Sequence, residues 1–229
     1  MSLSIIIPCL NEAGEIAAAL EALRVARARG AEIIVVDGGS SDDTGELARH
    51  GADVLLSSPR GRARQMNAGA ERARGDVLLF LHADSRLPRD ADKLVLEGLA
   101  TSGRGWGRFD VMIAGAHPLL PVVAKAMSWR SRLTGIATGD QAIFITRRLF
   151  DDTGRFPEIP LMEDIALTTT LRRAGPPLCL RERVTTSGRR WEKHGVVPVI
   201  LLMWQLRLAY WLGASPDRLA RRYAPHRTG

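Results

Sequence analysis

Leu3-Ser4-Ile5-Ile6-Ile7 runs into Pro8, Asn11 and Glu12; Ile33-Ile34-Val35-Val36 runs into Asp37, Gly38, Gly39, Ser40, Ser41 and Asp42; Val77-Leu78-Leu79-Phe80-Leu81 runs into His82, Ala83, Asp84 and Ser85. Each run lacks the polar alternation of a surface strand, which predicts strands covered on both faces, as in a parallel sheet. The carboxyl ends of parallel strands share one edge of an open α/β sheet, so the three polar clusters are expected to meet there as a ligand crevice. Between the runs the pattern turns helical. Glu12 to Arg29 places Ile16, Leu20 and Leu23 on one face before Gly30; Ser40 or Ser41 is positioned to cap a helix reaching His50; Ala63 to Arg74 predicts a third helix, closed by Gly75. Asp53 to Leu56 reads as a short strand. This alternation across the first 85 residues implies right-handed parallel crossovers in a doubly wound half.

The remainder is less regular. Trp106 to Ala114 and Gln141 to Thr146 read as strands; Leu119 to Leu133 and Asp164 to Arg173 read as helices, the second ended by Gly175, Pro176 and Pro177. Gly195 to Gly213 is apolar and aromatic, but Pro198, Gln205 and Arg207 interrupt it, and the uninterrupted part falls short of the roughly 20 residues of a membrane span. A core helix or a homodimer interface is expected, with a helix lying on a membrane surface, aided by Arg207, Arg218, Arg221 and Arg222, as the alternative. No Pro/Ser-rich linker or shift of composition divides the 229 residues, so one domain is predicted.

The chain carries 32 Lys and Arg against 25 Asp and Glu, a net charge of +7, with lysine only at 93, 125 and 193. Guanidinium forks match phosphate oxygens, which suits a phosphorylated small molecule, a nucleic acid or an anionic membrane. Arginine bias in the coding sequence accounts for the balance equally well, so charge alone selects no partner. Cys9 and Cys179 lie in apolar contexts without metal-ligand spacing, which predicts small buried hydrophobes in a reducing cytosol. Met1 to Leu10 has no basic stretch before its apolar run, which argues against a signal peptide.

After Ile7 the chain reads Pro8, Cys9, Leu10, Asn11, Glu12 and Ala13, not the glycine fingerprint of a dinucleotide site. A Walker-type phosphate loop and a nucleophile elbow are also missing. Carboxylates at strand ends remain: Asp37 can accept hydrogen bonds from a base or ribose, and Asp84 can ligate a hard divalent cation that bridges two phosphates. Together they suggest a nucleoside diphosphate.

These residues resemble the metal-dependent GT-A glycosyltransferases, in particular the large inverting family 2. The likeness is carried by Ser4 to Pro8 with Asn11 and Glu12, by Val35 to Ser41 with Asp42 and Thr44, and by Gly61 to Gly69. It continues through Phe80, Leu81, His82, Ala83 and Asp84, then Gly139, Asp140 and Gln141, Arg147 to Phe156, and the acidic pair Glu163 and Asp164. The fold implied is α/β of GT-A type: a Rossmann-like nucleotide-binding half with a mostly parallel mixed sheet over 1–85, an acceptor-side half over 86–194, and a C-terminal helical segment over 195–229.

Carried over by position, the resemblance assigns Pro8, Asn11, Glu12 and Asp37 to the nucleotide, and Arg62, where the family often has lysine, or Arg64 to the base or phosphates. Asp84 would hold a divalent metal, Mn²⁺ or Mg²⁺. The acid usual two residues earlier is His82 here, which either joins the metal, suiting Mn²⁺ better, or is simply hydrogen-bonded. Asp164, the second acid of its pair, would be the general base that takes the proton of an acceptor hydroxyl; Glu163 is the other candidate. Adjacent side chains entering a helix diverge by about 100°, so one is expected to face the cleft while the other caps the helix or meets an arginine such as Arg155.

Arg189, Arg190 and Trp191 resemble the arginine-tryptophan signature of processive polysaccharide synthases, with Ser187 where glutamine is usual three residues before Arg190. Arg189 or Arg190 would trap a diphosphate, and Trp191 would stack on a sugar or fill the core. Asp140 joins these on the acceptor and diphosphate side. The implied activity is inverting transfer from a nucleoside-diphosphate sugar, UDP-type first, to an unknown hydroxyl acceptor, by a cytoplasmic enzyme that does not bind nucleic acid and sits free or at the inner membrane surface. The alternatives are a nucleotidyltransferase acting on a sugar phosphate, and a non-catalytic binder of nucleotide sugars or anionic lipids.

Overall fold

In the computed structural model, which describes residues 1–224, the chain runs through β1 (Leu3–Cys9), α1 (Ala13–Ala28), β2 (Glu32–Asp37), α2 (Thr44–Arg49), β3 (Val54–Ser57), α3 (Arg62–Arg72), β4 (Val77–Phe80), β5 (Ser85–Arg86) and α4 (Ala91–Ser102). It continues through β6 (Trp106–Ile113), α5 (Leu120–Thr134), a 3₁₀ turn (Gly139–Gln141), β7 (Phe144–Thr146), α6 (Arg147–Asp152), α7 (Glu163–Ala174), β8 (Leu178–Thr186), α8 (Arg189–His194), α9 (Val196–Trp211) and α10 (Pro216–Tyr223). Among the described residues the strands form one sheet in the order β3-β2-β1-β4-β7-β6-β8-β5.

β1, β2, β3 and β4 are parallel, as the doubly apolar runs of β1, β2 and β4 and the alternation of strands with helices predict. Cys9 pairs with Asp37 and Ile6 with Phe80, and the Leu81 amide donates to the Ile6 carbonyl. This register brings the loops after β1, β2 and β4 to a common edge. β7 inserts antiparallel between β4 and β6, and β8 runs parallel to β6.

Each face of the sheet has its own apolar cluster. Ile5, Ile7, Ile33 and Val35 point to the face covered by Ile16, Leu20 and Leu23 of α1 and by Val95 and Leu99 of α4. Ile6, Ile34, Val36 and Leu78 point to the other, where Met66 of α3, Phe150 of α6 and Leu167 and Leu171 of α7 pack. Phe80 meets Phe156 edge-on at 4.8 Å and Phe150 at 5.3 Å, anchoring the segment before α7 against the sheet. Gly69 permits α3 to approach this closely, since a Cβ there would fall 2.5 Å from Cγ2 of Ile6. Cys9 is buried, and that burial pushes its thiol up to about 12, in keeping with an inert core side chain.

Several boundaries differ from the sequence reading. α2 begins at Thr44, and neither Ser40 nor Ser41 caps it, because both hydroxyls are drawn to the loop after β1. β7 is shorter than Gln141 to Thr146: the Thr138 amide donates to Gln141 Oε1 at 3.3 Å across the 3₁₀ turn and Ala142 takes a positive φ of 45°, which keeps these residues out of the strand. α4 and β5 had no distinct signal. Pro198 does not interrupt α9, because in the first turn its missing N–H has no helical partner to lose. α9 buries Val196, Val199, Leu202 and Leu206, while Val197, Leu201, Trp204, Leu208 and Trp211 stand exposed along its outer side. Tyr210 packs with the inner cluster around Leu206 and Leu219. Among the described residues no helix is long and apolar enough to cross a membrane.

Candidate active site

At the strand-end edge, polar groups close on one another before any ligand arrives. Asn11 adopts a left-handed φ of 54°, and its amide donates to Ser40 Oγ at 2.9 Å while its side-chain oxygen accepts from the Ser41 amide at 2.9 Å. Asp37 accepts from the Ser40 amide at 3.0 Å and the Ser40 hydroxyl at 2.6 Å. Thr44 Oγ1 accepts from the Glu12 amide at 2.8 Å and donates to Asp42, whose carboxylate is held below its usual range mainly by that bond. Gln65 of α3 donates to the carbonyls of Cys9 at 2.7 Å and Val36 at 2.9 Å, fixing both strand ends. Asn11, Glu12 and Asp37, with Pro8 at the end of β1, thus share one rim. Arg64 points away to Glu158 at 3.0 Å.

Next along the edge, Glu12 meets Arg189 at 3.3 Å, and Glu15 meets Arg86 at 3.1 Å and Arg189 at 3.7 Å. Burial raises the Glu12 carboxyl, the charge of Asp84 raises it further, and Arg189 opposes both. A carboxyl raised by the charge of a neighbouring carboxylate suits a hard cation, and Mg²⁺ or Mn²⁺ is commonly held by one or two carboxylates plus substrate phosphates. Among the described residues no group of three His, Cys, Asp or Glu side chains could hold a metal alone, so phosphate oxygens would have to complete the shell. His82 is engaged elsewhere: its Nδ1 lies 3.4 Å from Asp140, and Gly139 presses on the ring so closely that a Cβ there would fall 2.4 Å from Nε2.

Glu163 and Asp164 open α7 after Met162, whose φ of 71° is strained for a side chain of its size. Both acids line one small cavity with Arg62, His82 and Gly139, and the arginine that one of them meets is Arg62 rather than Arg155. Glu163 is buried and turned to Arg62 at 3.6 Å; burial raises its carboxyl against the pull of that guanidinium. Arg155, by contrast, pairs with Asp151 and Glu71. Asp164 accepts from the Gly139 amide at 2.9 Å and the Ile165 amide at 2.7 Å. Burial works to raise the Asp140 carboxyl, yet His82, then Arg190 and Arg62, hold it well below the usual carboxylate range. The Arg190 guanidinium lies 5.1 Å from the Tyr223 ring centre, and Trp191 packs partly buried against the cluster of Val111, Ile113 and Leu120.

The charges of Asp164 and Asp140 also act on two further cations. Burial lowers Arg130 of α5 to about 10, helped by the charge of Arg207 of α9, and burial lowers Arg207 as well; Asp164 and Asp140 act in the opposite sense on both. The sequence reading counted Arg207 only as a membrane contact and overlooked Arg130. The available signal was a cation set among apolar residues, with Arg207 between Leu206 and Leu208.

A sequence profile of glycosyl transferase family 2 matches residues 4–109. An uncharacterized glycosyltransferase of Mycobacterium tuberculosis is 34% identical over 137 residues, 57% of this chain and 60% of that protein. The succinoglycan biosynthesis protein ExoA of Rhizobium meliloti is 38% identical over 107 residues, 42% of this chain and 32% of that one. The chain therefore spans about 60% of the length of its mycobacterial relative and less of the second. The crystal structure of S. aureus TarS in complex with UDP is similar with a TM-score of 0.68 at 18% identity, over 82% of this chain and 60% of that one. The mannosyltransferase PcManGT from Pyrobaculum calidifontis, in complex with GDP-Man and Mn²⁺, is similar with a TM-score of 0.64 at 22% identity, over 90% of this chain and 60% of that one. The strand-end edge, the acidic pair and these likenesses agree: residues 4–109 resemble glycosyl transferase family 2, and the chain has an α/β fold similar to that of the GT-A glycosyltransferases TarS and PcManGT.

Proposed function

We propose that this protein transfers a sugar, with inversion, from a nucleoside-diphosphate donor to a hydroxyl acceptor. The observation that carries the reading is the half-buried Asp164, fixed by two backbone amides at the start of α7 and facing the same cavity as Arg62 and His82. The donor nucleoside would lie along Asn11, Glu12 and Asp37. The acceptor oxygen attacks the anomeric carbon as the bond to the diphosphate oxygen breaks, and Asp164 takes the hydroxyl proton. Glu163 and Arg62 together support the wall beside it. Negative charge grows on the leaving diphosphate, and Arg189, with Arg190 next to it in α8, would offset it. Asp84 and Glu12 would hold a divalent cation, which when bound supplies further positive charge at the diphosphate.

The exposed outer side of α9, followed by the exposed Arg218, Arg221 and Arg222 of α10, supports a position against an anionic membrane surface. Sugar transfer is tested by assaying UDP-GlcNAc, UDP-glucose and GDP-mannose for release of nucleoside diphosphate, with and without Mn²⁺. The reading expects at least one donor to be consumed, with loss of that activity in Asp164→Asn. Consumption that Asp164→Asn leaves untouched removes Asp164 as the base.

A further inference from the structure

Arg130 and Arg207 have no role in the donor reading, and their surroundings leave them without a counter-charge in contact. Nε and Nη2 of Arg130 are shut off from solvent and meet no hydrogen-bond partner among the described residues. Arg207 makes no hydrogen bond or ion pair among them either. The carboxylates that face them are engaged: Asp164 accepts two backbone amides, and Asp140 is turned to His82. A buried charged donor left unpaired is costly, and a second cation close by adds to the cost. An arrangement of this kind is relieved by an anion that enters from outside.

We propose that Arg130 and Arg207 seat a phosphate group carried by the acceptor, so that the hydroxyl receiving the sugar belongs to a phosphorylated molecule. The inference rests on the sugar-transfer reading and names the acceptor class for the same site. A phosphate monoester carries close to two negative charges at neutral pH and matches two guanidiniums, whereas a carboxylate would leave one of them uncompensated. The two helices that carry these arginines pack in one apolar cluster, through Val123, Ala124 and Met127 of α5 and Val196 and Ile200 of α9, and neither arginine joins the ion pairs that Arg189 makes with Glu12 and Glu15 at the donor edge. An anion held there leaves its own molecule's hydroxyl beside Asp164.

The test measures binding of phenyl phosphate, and of UDP and GDP with Mn²⁺, to the wild-type protein and to Arg130→Gln, Arg207→Gln and Arg130→Lys. The expected result is that each glutamine variant weakens phenyl phosphate about tenfold or more, the loss of a charge-assisted hydrogen bond, while nucleotide affinity changes less than twofold. Lysine, which keeps the charge but not the fork, falls between. Unliganded Arg130→Met should melt above wild type, because it removes an unpaired buried cation; a lower melting temperature with phenyl phosphate binding retained overturns the proposal. Equal losses of phenyl phosphate and nucleotide assign the arginines to the donor diphosphate and also overturn it. If no nucleotide binds while the phosphate arm behaves as expected, the anion seat stands and the sugar-transfer reading falls. Vesicles of phosphatidic acid and of phosphatidylcholine decide the source: selective binding to the first that is lost in Arg130→Gln assigns a lipid phosphate, and its absence alongside phenyl phosphate binding assigns a soluble one.

Discussion

The two sides of the cleft are prepared differently. On the side proposed for the donor, Asn11, Asp37, Ser40 and Ser41 are joined by hydrogen bonds, and Thr44 bridges the Glu12 amide and Asp42. On the far side Arg130 holds donors with no acceptor and Arg207 stands without an ion pair among the described residues. A rim already satisfied can bind a ligand without reorganising, and its rigidity favours orientation. A side that keeps buried charge unpaired gives up stability until its ligand comes, a trade often made at functional sites.

The largest effect that would sharpen this contrast is on turnover. A positioned base contributes ~10² to 10⁴ in rate, so Asp164→Asn should lower kcat by about that factor with donor affinity nearly unchanged. Glu163→Gln should be milder, because Glu163 acts through Arg62 at 3.6 Å. An inactive Glu163→Gln beside a tolerated Asp164→Asn would exchange their roles.

A smaller effect probes the donor rim. Asp37→Ala removes the acceptor of both Ser40 bonds and should weaken nucleotide binding by roughly ten- to a hundredfold, the range of a lost charged hydrogen bond. Isothermal titration with UDP and GDP reads it. Unchanged affinity would mean that the rim is scaffold and the nucleotide lies elsewhere.

A pH series tests the electrostatics between the two sides. The folded-state pKa of Asp140 lies below its unfolded value, so its contribution to stability is present above about pH 4 and is lost as pH falls through the folded value. Asp140→Asn should therefore melt below wild type at pH 7, with the gap closing in strong acid; at 39% side-chain exposure, solvent screening keeps that gap small. A gap that is constant with pH would exclude the His82 and arginine field as its source.

The smallest expected change concerns α9. Trp211→Glu, at a site 80% exposed, should leave the melting temperature nearly unchanged while reducing sedimentation with anionic liposomes. Wild-type protein that ignores liposomes and elutes as a dimer would give this face to a second copy.

Much of the strand-end edge was legible in the sequence because parallel strands bury both faces and end together. An apolar run closed by a polar cluster specifies both a strand and its end, which is how Asn11, Glu12, Asp37 and Asp84 could be named together. The roles of Ser40 and Ser41 were not legible, since a serine before a helix reads as a cap and only the packing of two loops turns it aside. Glu163 and Asp164 stood out as neighbours, but a helical angle of about 100° could not say that Arg62 and the Gly139 amide would hold both within one cavity.

By itself, then, the sequence determined the parallel half and the polar edge where its strands end, because these follow from local periodicity and from where apolar runs stop, whereas the acidic pair was named through the family resemblance. The tertiary structure alone decided the partners. Arg130 and Arg207 belong to helices separated from Asp164 by intervening strands and loops. Whether a guanidinium ends in water or in a protein-lined recess depends on how those helices pack against the sheet, and no local pattern in the chain encodes that packing.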